Sequence, residues 1–315
     1  MASGGHLVDR RRGLVAMTEP ADLLERIARG YGLDLPVDDA TSHRGATGTV
    51  ICTGDYAVKV ARPGAVAREA TMTGARVAAV ASRAGIATPA VVLVDDQQMY
   101  ADITVVVYRR VPGVPAEEVG RLDARLGAAW YALGEQLARI HQLGDEDGLA
   151  NLRRFQQTPE LDPRAWLASD AIVPHVPRED RDWFRATLDH VMPLVIASHR
   201  VAFCHGDVNA SNMIVDAHTC VFRGLVDWSG AGWLDPAWDL ARLPLAAVPT
   251  VLAGYRTVGP FPNDHSAEAR ILGVQLQAAL HRVRVDPRAE PVDALQTKVQ
   301  SARDFRDMYV TSWGG

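Results

Sequence analysis

Two textures of apolar spacing divide the chain, and the change falls near Val111. In residues 18–30, Leu23, Leu24, Ile27 and Ala28 recur at helical spacing behind Thr18 as a cap and Glu19 in the first turn, which predicts a helix. From Thr41 onward the apolar residues come in short, strand-like runs. Residues 49–53 and 56–60 flank Gly54-Asp55 and read as a hairpin, preceded by the glycine-rich turn Gly45-Ala46-Thr47-Gly48. Residues 65–81 are alanine-rich and helical, and residues 90–94 and 103–108 add two strands. The expectation is a small, mainly antiparallel sheet with one prominent helix.

Arg109-Arg110-Val111-Pro112-Gly113 interrupts this texture and opens a helical half. Leu126, Trp130, Leu133, Leu137 and Ile140 form one stripe of a helix over residues 124–143, and further helices are expected over residues 180–196, 245–255, 267–283 and 292–309. His141 trails the first of these, a position where a histidine reads as a packing or helix-dipole group. Between the helices, Met213-Ile214-Val215 and Gly224-Leu225-Val226 predict two buried strands joined by a turn. Around that hairpin stand Asp207, Asn212 and Asp227, polar groups a core would not select. Oxygen-bearing side chains at hairpin ends suit a hard cation and a substrate hydroxyl, which is what phosphoryl transfer requires.

Composition narrows the classes. At 315 residues, 48% hydrophobic and 23% charged, the chain can bury the core of one large domain or two lobes. Its net charge of −5 provides no basic footprint for nucleic acid and no polybasic membrane patch. No apolar run approaches the roughly 18 residues of a membrane helix. The expected partner is a small-molecule substrate, with neither nucleic acid nor membrane, for a cytoplasmic monomer or homodimer. Cys52, Cys204 and Cys220 match no zinc or redox spacing and read as reduced thiols. Residues 1–17 lack a long apolar core and read as a mobile tail, with Met17 a second plausible start. Among 33 basic residues the lysines are Lys59 and Lys298, so a lysine kept in this background points to a need for a compact ammonium. Lys59 follows Ala57-Val58 on the strand beside the glycine turn, where it can meet nucleotide phosphates, and Glu69 in the next helix is its candidate counter-ion.

The glycine-rich hairpin, Ala57-Val58-Lys59, Glu69, His205-Gly206-Asp207, Asn212 and Asp227 stand in the order and spacing of the protein-kinase-like fold. Gly206, where protein kinases carry arginine, and Asp235-Pro236-Ala237-Trp238-Asp239-Leu240-Ala241 resemble the aminoglycoside phosphotransferase family. That family includes antibiotic-inactivating kinases and kinases of choline, homoserine, fructosamine and amino sugars. The resemblance covers residues 45–241 and implies an α+β, bilobal fold: a small β lobe over 18–110 that binds nucleotide, and a larger helical lobe over 111–315 that holds the catalytic and acceptor sites. It implies that Asp207 takes or positions the proton of a substrate hydroxyl attacking the γ-phosphorus of ATP or GTP. Asn212 and Asp227 would hold Mg²⁺. Lys59, oriented by Glu69, would hold phosphate oxygens under Gly45, Thr47 and Gly48. His205 would fix the loop, and Asp239 would bond its amides. Arg109 to Val111 would present backbone groups to the base. Tyr108 would stand at the back of the base pocket and narrow it, as in members that prefer GTP, so GTP is expected to serve at least as well as ATP.

Other readings are weaker. A hydrolase with His205 and Asp207 as metal ligands lacks a third ligand at usable spacing. A nucleotide-binding pseudokinase is the alternative of another class, yet every position that decays in such proteins is intact. For the acceptor, acids and bases balance from Ser229 onward, which lends a polycation no support. Trp228 and Trp233 flank the metal turn and are candidate stacking surfaces. The family resemblance implies an antibiotic acceptor (nucleoside-type, glycosylated or aminoglycoside), and these features favour a hydroxyl on a weakly charged, glycosylated or nucleoside-type antibiotic or sugar over a classical aminoglycoside, with a metabolic alcohol of amino-sugar, choline or homoserine type as the alternative.

Overall fold

The structure, a computed structural model, describes residues 20–97, 103–145, 148–155, 161–198, 201–286 and 292–310. The expected tail, the Thr18 cap, and Gly314 and its neighbours at the C-terminal end lie outside these residues. The chain separates into two compact units, Met1–Met72 with Ala90–Arg110, and Thr73–Pro89 with Val111–Gly315.

The first unit is a five-stranded antiparallel sheet. Helix α1 (Pro20–Tyr31) precedes β1 (Thr41–Arg44), β2 (Gly48–Thr53) and β3 (Tyr56–Ala61); α2 (Ala65–Arg83) follows, then β4 (Val91–Asp95) and β5 (Val105–Arg109). The spatial order is β1-β2-β3-β5-β4. Period-2 alternation sends Val58 of β3 to one face, where it joins Ile51, Val105 and Val107 against Leu23, Leu24 and Ile27 of α1. Lys59 therefore faces the other way. Its register partners are Val50 on β2 and Val106 on β5.

The second unit is mostly helical. Its elements are β6 (Val114–Pro115), α3 (Ala116–Val119), α4 (Gly127–Ile140), α5 (Pro163–Trp166), α6 (Arg178–Ala197), β7 (Ala202–Cys204), β8 (Met213–Val215), β9 (Phe222–Leu225), β10 (Gly232–Leu234), α7 (Val248–Val258), α8 (Ala267–Val285) and α9 (Val292–Tyr309). The short strands form a three-stranded sheet β6-β8-β9 and a pair β10-β7. Helices α4 and α7 cross at backbone contact: a Cβ on Gly134 would lie 1.9 Å from the Val251 carbonyl oxygen, and one on Gly254 would lie 2.0 Å from that of Tyr131. Glycine on both helices is what lets α4 and α7 approach so closely.

The sequence places all of residues 18–110 in one lobe. The structure instead assigns Thr73–Pro89, the second half of α2 and the turn after it, to the second unit. Local contacts explain this. Gly74 packs on the backbone at Ser229, the Ala87 carbonyl accepts from Leu225 N at 2.9 Å, and Trp228 Nε1 donates to Thr88 Oγ1 at 2.7 Å.

Candidate active site

The loop between β7 and β8 carries Asp207 and is pinned from behind. Asp239, in the 3-10 turn Pro236–Leu240, is fully buried and accepts from His205 N at 2.9 Å and Gly206 N at 2.6 Å. His141 Nε2 lies 3.1 Å from the same carboxylate, and His141 Nδ1 lies 3.1 Å from the Tyr255 hydroxyl. Burial works against the Asp239 charge, but the hydrogen bond and charge of His141, with His205 and the Gly206 amide, hold its carboxyl below the usual range. His141 is thus no helix-dipole group. It braces the residue that braces the loop, a role invisible in sequence because the two are 98 positions apart.

His205 is completely buried. Its Nε2 lies 3.1 Å from the Val226 carbonyl, and its Nδ1 accepts from Asp207 N at 3.3 Å. Burial lowers its pKa and keeps the ring neutral, which is the form that can bond a carbonyl at one nitrogen and an amide at the other. The geometry ties both sides of the hairpin to one ring.

Asp207 is partly exposed, and its carboxylate is surrounded by donors. Asn209 Nδ2 and Asn212 Nδ2 each reach it at 3.2 Å, and Arg242 donates to its Oδ1. Asn209 also accepts from Ser211 N and Asn212 N, at 2.9 and 3.1 Å, so its side chain fixes the loop into a turn. Arg242 and Asn209 carry no role in the sequence reading. Arg242 lies three residues past Asp239, a neighbourhood that could have flagged it.

Asn212 and Asp227 stand at the same end of the β8–β9 hairpin, where Met213 pairs with Leu225 and Val226 N donates to the Asn212 carbonyl at 3.0 Å. Asp227 has φ +62°, and its carboxylate accepts from Ser229 Oγ at 2.7 Å. Asn212 directs its Nδ2 to the Asp207 carbonyl at 2.8 Å, which turns its Oδ1 away from that group. A carboxylate and an amide oxygen on one rigid hairpin end form an oxygen donor set of the kind Mg²⁺ takes, completed by water and substrate phosphates. These residues fit the ion. Another convergence, His141, Cys204 and Asp239 within 4.8 Å, does not. Its histidine nitrogens and carboxylate are already engaged, and burial raises the Cys204 pKa, keeping it a thiol.

Trp228 and Trp233 need correcting. Both indoles are buried, the Trp228 and His205 ring centroids lie 4.5 Å apart at a tilt of 47°, and Trp233 Nε1 donates to the Leu149 carbonyl at 3.0 Å. They are packing groups of the loop and offer no face to an acceptor. Aromatic residues beside a motif read alike in sequence whether they pack or bind.

In the first unit, Gly45 N donates to the Gly48 carbonyl at 2.8 Å and Arg62 N to the Thr47 carbonyl at 2.9 Å, closing the glycine turn. Lys59 is buried on β3, and Glu69 lies on the exposed side of α2. Tyr108 is half-buried opposite Ala57, and Arg109 is exposed with its guanidinium 4.6 Å over the Tyr56 ring. Val111 belongs to the second unit.

Known proteins agree with this architecture. A streptomycin 3''-kinase of Streptomyces griseus is 31% identical over 144 residues, 44% of this chain and 52% of the relative, so the chain spans about half the length of the curated protein it matches. An aminoglycoside 2'-phosphotransferase solved as its GDP complex shares the fold with a TM-score of 0.67 at 15% identity, over 90% of this chain and 97% of that one. A macrolide 2'-phosphotransferase from Brachybacterium faecium does so with a TM-score of 0.58 at 19% identity, over 89% and 96%. The sequence pattern that defines the phosphotransferase enzyme family runs through residues 37–269, and the chain belongs to that family.

Proposed function

We propose that the protein transfers the γ-phosphate of ATP or GTP to a hydroxyl of a small molecule, with Asp207 as the catalytic residue. The observation that carries this reading is the Asp207 carboxylate, presented near the start of the β7–β8 loop, whose two preceding amides are clamped by buried Asp239. Such a group is held for orientation. In the reaction the acceptor oxygen forms the new P–O bond as the Pγ–O–Pβ bond breaks. The proton passes to Asp207 and the nucleoside diphosphate leaves. Asn212 and Asp227 would hold Mg²⁺, which when bound neutralises charge on the phosphates. On the first unit, Lys59 would hold phosphate oxygens with Glu69 orienting it, beside the Gly45–Gly48 turn.

Tyr108 and the hinge after it would receive the base. The GDP bound to one structural relative supports GTP as a donor and the AMP-PNP bound to another, an amicoumacin kinase, supports ATP; narrowing of the base pocket by Tyr108 would make GTP at least equal to ATP. If kcat/KM with ATP greatly exceeds that with GTP, and Tyr108→Ala leaves the ratio unchanged, this assignment fails. We place the enzyme in the cytoplasm, where nucleotides are plentiful and its free cysteines stay reduced. The streptomycin 3''-kinase relative supports an antibiotic as acceptor. A screen of antibiotics and metabolic alcohols for a phosphate mass gain that requires nucleotide and Mg²⁺ tests the whole reading. Asp227→Ala should damage binding of the metal–nucleotide complex itself, and unchanged binding would contradict its role.

A further inference from the structure

One short stretch, residues 239–243, grips the loop of Asp207 at two points. Asp239 turns inward and accepts from the amides of His205 and Gly206 at 2.9 and 2.6 Å, while Arg242 turns outward and donates to Asp207 Oδ1. The backbone between them is held from behind. Gln275 of α8 donates to the carbonyls of Leu240 at 2.7 Å and Leu243 at 3.0 Å, and both leucines are buried. The Arg242 side chain is held far less: it is 49% exposed and meets a carboxylate that is itself 31% exposed. The segment is thus fixed at its backbone and carries a long cationic side chain in water.

Among the described residues, three side chains donate to the Asp207 carboxylate, and they differ in what holds them. Asn209 Nδ2 reaches Oδ1 and Asn212 Nδ2 reaches Oδ2, each at 3.2 Å. Both are short side chains of the same loop. Asn209 also accepts from the amides of Ser211 and Asn212, and Asn212 also donates to the Asp207 carbonyl at 2.8 Å, so neither can withdraw without unmaking the turn. Arg242 comes from another segment, and an exposed ion pair shifts a population by only about two- to fivefold. It is the donor that can leave. While it stays, Asn209 and Arg242 fill both lone pairs of Oδ1, and a hydroxyl proton has no place on that oxygen.

We propose that Arg242 is a specificity-determining residue that restrains Asp207 from activating water, so that phosphate transfer waits for the acceptor. This rests on the reading of Asp207 as the residue that receives the acceptor's proton. In the unwanted reaction a water oxygen bonds to Pγ as the Pγ–O–Pβ bond breaks, the water proton passes to Asp207, and phosphate and the nucleoside diphosphate leave. Water is small enough to enter wherever an acceptor hydroxyl fits, so size alone does not keep it out. A guanidinium on Oδ1 competes with it for the carboxylate. An acceptor brings binding energy from the rest of its structure, which water lacks, and that energy displaces an exposed ion pair. Docking of the acceptor and readiness of Asp207 then become one event.

Phosphate release from saturating Mg²⁺–ATP and Mg²⁺–GTP, with no acceptor added, tests the restraint. Arg242→Gln, which removes the cation, should hydrolyse nucleotide about two- to fivefold faster than wild type. Arg242→Lys, which keeps a charge without the planar fork, should fall between the two. A mere buttress of the loop gives the opposite sign, because its removal slows hydrolysis. Salt adds a second readout. Raising ionic strength from about 0.01 to about 1 M shortens the screening length from roughly 30 to roughly 3 Å, so the ratio of Arg242→Gln to wild type should fall toward one. Hydrolysis by Arg242→Gln no faster than wild type, including none by either, overturns the proposal, and so does a ratio that does not respond to salt. Asp207→Ala separates this inference from the reading beneath it. Hydrolysis that Asp207→Ala abolishes but Arg242→Gln leaves unchanged defeats the restraint alone, whereas hydrolysis undiminished in Asp207→Ala defeats the assignment of Asp207 and the restraint with it.

Discussion

Replacing Gly206 with alanine tests whether backbone geometry sets the loop that carries Asp207. Gly206 has φ +77°, and an L-residue enters that region at a cost of about 1–2 kcal/mol. Its new Cβ would lie 2.2 Å from the Gly230 carbonyl oxygen and 2.8 Å from the carbonyl carbon. Both are backbone atoms, so no rotamer relieves the contact, and forcing the segments apart adds roughly 1–3 kcal/mol. The sum, about 2–5 kcal/mol, lowers the melting temperature by on the order of 3–8 °C in a chain of this size. The displacement also separates Asp207 from the turn that follows Asp227, because Gly206 precedes one and Gly230 closes the other. Misplacement of about 1 Å costs on the order of 100-fold in kcat. Calorimetry and turnover measure the two effects. Gly85→Ala is the control: φ is +75° there, but nothing lies within 4 Å of the added Cβ, so only the strain remains. If Gly206→Ala behaves like Gly85→Ala in stability and like wild type in kcat, the reasoning is refuted.

Arg270 is fully buried and donates to Asp235 at 2.8 Å and to the Asn263 carbonyl at 3.2 Å, so Arg270→Met, which leaves that carboxylate unpaired, should cost about 3–5 kcal/mol in denaturant unfolding. The double variant Arg270→Met, Asp235→Asn should recover part of this loss, and strict additivity would contradict the pairing. Acid should destabilise the fold in two stages. The lowered pKa of buried His205 means that the unfolded chain takes up a proton the folded chain refuses, so its contribution is complete above about pH 6.5 and is lost as pH falls below that, by up to about 1.4 kcal/mol per pH unit. The depressed pKa of Asp239 contributes stability above about pH 4 that is lost at lower pH, as the carboxyl protonates in the fold. Urea midpoints from pH 8 to pH 3 check both stages, and Asp239→Asn should shrink the lower one, to which Asp162 and other carboxylates with lowered pKa also contribute.

Much of this site is legible in sequence because its parts are local. Asp207, Asn212 and Asp227 flank one hairpin whose short apolar runs announce two buried strands; on the first unit, Lys59 by itself stands out against an arginine-rich background. What escapes depends on distant pairs. Asp239 meets His141 98 positions away, and Arg242 reaches Asp207 35 positions away. The crossing of α4 and α7 needs Gly134 and Gly254 together, and neither has a local signature. The charge census after Ser229 balances because it averages over a span, whereas Arg121, Arg242, Arg282 and Lys298 act on one another only once folded. Trp228 and Trp233 show the converse: proximity to a motif in sequence suggested a binding face, and folding turned both rings inward.

The central claim is that Asp207 serves the acceptor hydroxyl and leaves nucleotide binding to other residues. Calorimetric titration of Mg²⁺–nucleotide into wild type and Asp207→Ala, paired with phosphate transfer to an acceptor from the screen, tests it directly. The account predicts a kcat lower by about 100-fold or more with nucleotide affinity within a few-fold of wild type. Near-wild-type turnover in Asp207→Ala, or a loss of transfer wholly explained by lost nucleotide affinity, would contradict it.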